Sequence, residues 1–194
     1  MLFLDYQNVY KSAREAFHRP TSPHWDGQID PVGLGELIVE RTPFERRLHG
    51  VRIYRGIQDS ARDPRGYGAA RRQMAAWSRS GIVETITRTL QYSAHWPSVK
   101  PVEKGIDVSL ALDFALMAYR GEYDVGILMS TDTDLVPALE AVAQLGSARV
   151  EVAAWSSPGR SRRRLTIKRR KLWCHWLDDS EYRRVRDKRD YTRQ

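Results

Sequence analysis

The sequence predicts an α/β sandwich built on a mostly parallel central sheet. Short apolar runs alternate with longer stretches of helical composition from one end of the chain to the other. One of them, "DVGILMS" (124–130), is apolar almost without interruption, as in a strand buried on both faces. No linker rich in Pro, Gly or Ser divides the 194 residues, so a single domain over 1–194 is expected.

The elements follow in order. "LFLD" (Leu2–Asp5) is a short buried strand, and "QNVYKSAREAF" after it is a helix. "HRPTSPHWDGQ" is a loop, broken by Pro20, Pro23 and Gly27. Asp30 before Pro31 is an N-cap with proline at the first helical position, and opens a helix to about Arg41. "VRIYRGI" (Val51–Ile57) is the second strand. A polar loop, "QDSARDPRG", leads to a helix over "YGAARRQMAAWSRS", closed by Gly81. "IVETITRTL" has strand composition, and a loop with two prolines follows it. "KGIDVSLALDFALMAYRG" is a long helix closed by Gly121, and "DVGILMS" is the next strand. "DLVPALEAVAQLG" is a helix starting near residue 134 and ending at Gly146, and "ARVEVAAW" is a strand. The basic segment 160–171 is read as partly helical. "LWCHWL" (Leu172–Leu177) is a last strand. Asp178 and Glu181 form a capping-box pattern that opens a C-terminal amphipathic helix over about 178–191.

Composition narrows the function. No apolar run approaches the ~20 residues of a membrane span. "MLFLD" reaches a charge too early for a signal peptide. The single cysteine, Cys174, excludes an internal disulfide framework and a Cys-based zinc cluster. A cytoplasmic protein is expected. A strand that starts at residue 2 leaves room for residues upstream. The net charge of +8 is local: Arg160, Arg162, Arg163, Arg164, Lys168, Arg169, Arg170 and Lys171 equal the whole excess, with no acid among them. Such a patch suits a polyanion such as RNA, and equally a solvated basic face.

The acids carry the chemistry. In parallel α/β sheets, ligands bind outside the carboxyl ends of the strands. Asp5 ends the first strand, Asp132 and Asp134 lie just beyond "DVGILM", and Asp107 lies in the first turn of its helix. All four are therefore expected on one edge of the sheet. Mutual repulsion would raise their pKa values unless a cation neutralised them, and hard oxygen ligands favour Mg²⁺ or Mn²⁺. A metal there can activate water against a phosphodiester; two ions would sit ~3.5–4 Å apart. Each acid also has a structural reading: Asp134 as an N-cap, Asp107 as the partner of a helix dipole. Asp113 differs, lying about 20° round the helix from Ile106 in an apolar stripe, where a structural hydrogen bond or ion pair is expected. Asn8 can bind a carboxylate or phosphate or cap the first helix. Ser130, Thr131 and Thr133 can orient the carboxylates, and Lys104 can meet a phosphate or screen the acids. Tyr6, Tyr10 and Trp96 are candidates for stacking an unpaired base, against the commoner fate of core packing. The five histidines show no ligand spacing, and there is no P-loop, G-x-G-x-x-G or Ser-His-Asp pattern.

At these residues the chain resembles a known family. "LFLDYQNVY", "KGIDVSLALDFALMAY" and "YDVGILMSTDTDLVPALEAVAQLGSARVEV" are similar, in the right order, to the three motif blocks of the NYN domain, a branch of the PIN-like nuclease superfamily. The resemblance runs from about Leu2 to the strand near Leu177. It implies a Rossmann-like α/β/α sandwich and a metal-dependent ribonuclease with its acidic site at Asp5, Asp107, Asp132 and Asp134 and an associated Asn8. This chain has Thr131 where the family often has glycine, and Leu135 where it often has phenylalanine. The expectation is an Mg²⁺- or Mn²⁺-dependent ribonuclease acting on single-stranded RNA. The alternatives are a non-catalytic RNA-binding module, a DNA nuclease, and a phosphatase of the haloacid-dehalogenase type. The last lacks its second acid, since Gln7 stands there. The sequence leaves the number of ions, endo- or exonuclease action, and monomer or homodimer open.

Overall fold

Apolar and β-branched runs become the strands of one sheet. The computed structural model describes residues 1–159, 163–168 and 170–193. Its strands are β1 (Leu2–Asp5), β2 (Val51–Ile57), β3 (Val83–Thr89), β4 (Val125–Met129), β5 (Arg149–Trp155) and β6 (Trp173–Leu177). Every neighbouring pair is parallel, in the order β3-β2-β1-β4-β5-β6. The chain winds outward from β1 to β3, then crosses back to place β4 on the other side of β1. Between β1 and β4 the winding reverses, and the following connections diverge to leave a crevice at the carboxyl ends.

The helices are α1 (Tyr6–Phe17), α2 (Pro31–Arg41), α3 (Pro64–Ser78), α4 (Ile106–Tyr119), α5 (Val136–Leu145) and α6 (Asp179–Val185). Aspartates start four of them. Asp5, Asp30, Asp63 and Asp178 each accept a backbone N–H of the first turn, and Asp178 completes its capping box with Glu181. Gly105 precedes α4 and Gly146 ends α5, both at positive φ, where a side chain would be strained.

Strand alternation divides the core into two layers. Leu2 and Leu4 pack with Val9 of α1, Leu34 and Ile38 of α2 and Tyr182 of α6. Phe3 points the other way, against Leu110 and Phe114 of α4 and Leu139 of α5. Its ring meets Phe114 edge-on at 5.0 Å between centroids. Burying each such side chain contributes about 1.5–3 kcal/mol. The buried acid of β5, Glu151, accepts hydrogen bonds from Arg46 and His175. Burial opposes its ionisation, but those bonds outweigh burial and hold its carboxyl down at about 2. α4 is apolar on its outer as well as its inner face, with Val108, Leu112, Leu116 and Tyr119 exposed.

Three expectations change. α3 starts at Pro64 rather than at 67, because Asp63-Pro64 repeats the cap-and-proline signal of Asp30-Pro31. The C-terminal helix stops at Val185 instead of near 191. Arg186 turns extended and bridges Ile29, and Asp187 donates its N–H to the Gln28 carbonyl. The described residues of the basic segment form no helix. Leu165 and Leu172 are drawn into the core beside α5, while Arg164 and Arg170 donate to the carbonyls of Leu172 and Ala143. Arg160, Arg162 and Arg169 lie outside the described residues.

Candidate metal centre and active site

Asp5 closes β1 on the β4 side, and its carboxyl group is almost fully enclosed, at 5% exposure. Its Oδ1 accepts the N–H of Asn8 at 3.2 Å, and its Oδ2 accepts the Ser130 hydroxyl at 2.9 Å. Ser130, the residue after β4, is itself buried, and its Oγ accepts the N–H of Asp132 at 3.0 Å. The Asn8 side-chain oxygen accepts both the N–H and the hydroxyl of Thr131. These bonds lace the start of α1 to the loop after β4, across the point where the winding reverses. Asp132 is the N-cap of a short 3-10 turn (Thr133–Leu135), accepting the N–H of Asp134 at 3.0 Å. The cap expected at Asp134 therefore belongs to Asp132. Asp107 enters from the first turn of α4.

One carboxylate oxygen from each of Asp5, Asp107 and Asp132 lies within 4.8 Å of the other two. Asp5, more than a hundred positions from the other two in sequence, thus meets them at one edge. Among the described residues, no lysine, arginine or histidine forms an ion pair with any of the three. Burial pushes the Asp5 carboxyl up to about 6. Bonds from Asn8 and Ser130 work against this, and the charges of Asp107 and Glu103 add to it. Burial also raises Asp107, helped by the charges of Asp132 and Glu103. Uncompensated hard oxygens at this spacing fit a divalent cation, which would relieve the repulsion.

The remaining expected residues fall around this trio. Asp134 is exposed and outside it, though its charge reaches Asp107. Lys104 is exposed in the loop before α4 and pairs with no carboxylate among the described residues. Asp113 is structural, as expected. Its Oδ2 accepts Arg52 at 2.9 Å and the Tyr54 hydroxyl at 2.7 Å, and its side chain is a third exposed. Trp96 packs edge-on against Tyr92. Glu103 was missed by sequence reasoning. It accepts the N–H of Gly56 and adds negative charge beside Asp5 and Asp107. Its position in a proline-flanked loop offered no periodic signal.

Two cavities flank α1, and none of the three acids lines either of them. The first, of about 380 Å³, runs from Asn8 and Thr131 past Lys11 and Ser12 to Arg163. There Arg163 pairs with Glu15 at 2.8 Å, both side chains being more than half exposed. The second lies between α1 and α3 and has a volume of about 240 Å³.

A parallel sheet with acids gathered over its switch point, flanked by helices on both faces, is a PIN-like α/β/α fold. The NYN domain matches residues 1–167, and the chain belongs to the NYN domain family. Members of that family are generally nucleases, and the three-acid cluster suits a metal site. No curated protein matches the chain. A solved structure of a protein of unknown function, VPA0982 from Vibrio parahaemolyticus RIMD 2210633, is similar at 23% identity. The likeness covers 79% of this chain and 78% of that one, with a TM-score of 0.48. No helix among the described residues is long and apolar enough to cross a membrane.

Proposed function

We propose that the protein is a single-domain, cytoplasmic ribonuclease that hydrolyses phosphodiester bonds in single-stranded RNA with Mg²⁺ or Mn²⁺. The observation that carries this reading is the approach of Asp5, Asp107 and Asp132 to within 4.8 Å with no cationic side chain paired to them among the described residues. These three hold the metal, and Asp134 assists directly or through water. When bound, the ion supplies charge neutralisation for the phosphodiester and an acidified water. Ser130 fixes the Asp5 carboxylate by hydrogen bonding, and Asn8 fixes the Thr131 loop that carries Asp132. Lys104, exposed beside Asp107, is free to meet a substrate phosphate. Hydrolysis adds water across a P–O bond and releases a 3′ or 5′ alcohol. The direct test is cleavage of labelled single-stranded RNA with Mn²⁺, against single-stranded DNA of the same sequence. Cleavage of RNA alone is expected; cleavage of DNA alone would overturn the ribonuclease assignment.

The basic segment draws in the RNA. Among the described residues Arg163 is held by a surface pair with Glu15, worth little in water, so it can exchange that partner for a phosphate. Lys168 and Lys171 are exposed. Arg164 and Arg170 also serve the fold through backbone carbonyls, so the cleaner variant spares them. Arg163→Gln with Lys168→Gln and Lys171→Gln is expected to weaken RNA binding. The salt slope of log affinity should fall by about 2, at roughly 0.7 per lost contact on a single strand. A slope equal to that of the unmodified protein would remove these residues from the RNA path.

A further inference from the structure

We propose that the amino edge of the sheet, opposite the acids, carries a second contact for single-stranded RNA, in which a base stacks on Trp173 while neighbouring phosphates meet Arg149, Arg170 and Lys171. This rests on the nucleic-acid reading above and adds a length requirement to it. The three cations and Trp173 line one cavity of about 470 Å³, and Asp124 is the one carboxylate among its described lining residues. In a parallel sheet the first residues of neighbouring strands share an edge. Arg149 opens β5 and Trp173 opens β6, whereas Asp5 closes β1 and Asp132 lies beyond β4. The 7 residues of β5 separate the two edges by about 20 Å, at roughly 3.3 Å per residue.

The fold leaves positive charge over at this edge. Glu151 is wholly buried and pairs with both Arg46 and Arg149, at 2.8 Å each, so one carboxylate serves two guanidiniums. Arg170 donates to the Ala143 carbonyl, and neither it nor Lys171 forms an ion pair among the described residues. Two large rings stand among these cations: Trp173 is 47% exposed and Phe44 is 44% exposed. Arg149 and Arg46 each lie 4.8 Å from the centroid of the Phe44 ring. Trp173 is the register partner of Glu151, two residues along from Arg149, so indole and guanidinium share a face of the sheet. Aromatic rings interleaved with cations are what sequence-tolerant single-strand binders present, a ring for each base and a cation for its phosphate. An acidic peptide would engage the cations and leave the rings in water.

A basic track joins the two edges. Arg163 stands with Asn8 and Thr131 on the carboxyl side. From there the chain descends beside α5. The Lys168 N–H donates to Glu140, and Arg170 reaches Ala143, nearer the end of that helix. Lys171 follows at the amino edge. At one phosphate per 3.4 Å of stacked strand, the separation of about 20 Å corresponds to roughly six nucleotides. A shorter RNA reaches one edge only.

The first test measures binding without cleavage. The Asp132→Asn protein, in EDTA, is titrated by anisotropy with a labelled oligouridylate of about 12 nucleotides, twice the span between the edges. Trp173→Leu with Arg149→Gln should weaken binding about tenfold, and Trp173→Phe alone, which keeps a stacking ring, should cost less than about threefold. Glu151 keeps Arg46 and His175 in the double variant, so its thermal melt should move little. Poly-glutamate should fail to displace the RNA. Unchanged affinity in the double variant, or displacement by poly-glutamate as complete as by unlabelled RNA, would overturn the assignment. Mn²⁺-dependent cleavage, with Asp132 in place, is scored separately. There the double variant should raise KM for the long RNA about tenfold and leave cleavage of an RNA of about four nucleotides unchanged. Equal losses on the long and the short RNA would overturn the length requirement. Failure to cleave any RNA would sink the nuclease reading and leave the binding result at the amino edge standing.

Discussion

On the proposed ribonuclease function, Asp132→Asn is expected to lower RNA cleavage by roughly a thousandfold and to leave the fold in place. The size follows from removing one anionic group aimed at the centre of charge, where single preorganised groups contribute factors of 10²–10³. The fold survives because the side chain has a second task that asparagine performs equally well. Asp132 Oδ1 accepts the Asp134 N–H to cap the 3-10 turn, and asparagine keeps that oxygen. The Asp132 N–H still donates to Ser130, so the loop after β4 stays tied to Asp5. Single-turnover cleavage in Mn²⁺, beside a thermal melt, separates the two effects. Cleavage within tenfold of the unmodified protein would show that Asp132 does not serve the reaction.

Asp5→Asn is expected to make the metal-free protein more stable at neutral pH and to abolish any response to Mn²⁺. In the folded protein the Asp5 carboxyl sits at about 6 instead of the usual 3.8, with burial as the main cause. A group raised in this way favours folding while it is protonated. Its contribution is lost as pH rises from about 4 to about 6, and above that window ionised Asp5 opposes folding by about 3 kcal/mol. Asp107 is raised too and acts in the same direction. Asparagine removes the charge while keeping an oxygen for the Asn8 N–H that starts α1. At pH 7.5 in EDTA the variant should melt roughly 6–12 °C higher, at about 2–4 °C per kcal/mol. At pH 4 the gap should close. Mn²⁺ should raise the melting temperature of the unmodified protein by mass action and leave the variant unmoved. Its affinity for the unmodified protein should fall about tenfold per pH unit below 6, as a proton must leave for each ion bound. A variant that melts lower at pH 7.5 would mean that Asp5 is there as a helix cap and not as a ligand.

The central trio was legible because topology does the gathering. In a parallel sheet every strand ends on the same side, so an acid just past a strand end or opening the next helix is placed by its register alone. Asp5, Asp107 and Asp132 each met that condition, and the fold brings them together. Asp134 met it equally, yet a single turn of 3-10 helix put it outside the trio, a detail of one residue in cap position. Glu103 carried no signal, because its approach to the acids depends on the path of a proline-flanked loop. The basic segment misled for a physical reason. Its composition favours a helix, but Leu165 and Leu172 bind more strongly to the core than the helix would repay, and the arginines find carbonyls instead. The last helix misled similarly, since Asp187 is worth more to Arg189 and Tyr191 than to another helical turn.

The most direct measurement is a crystal soaked in Mn²⁺, with the ion located by its anomalous scattering. A peak is expected at the carboxyl edge between β1 and β4, with oxygens of Asp5, Asp107 and Asp132 at about 2.0–2.2 Å. A crystal in which those three carboxylates lie too far apart to share one ion, or in which Mn²⁺ settles elsewhere and leaves them bare, would contradict it.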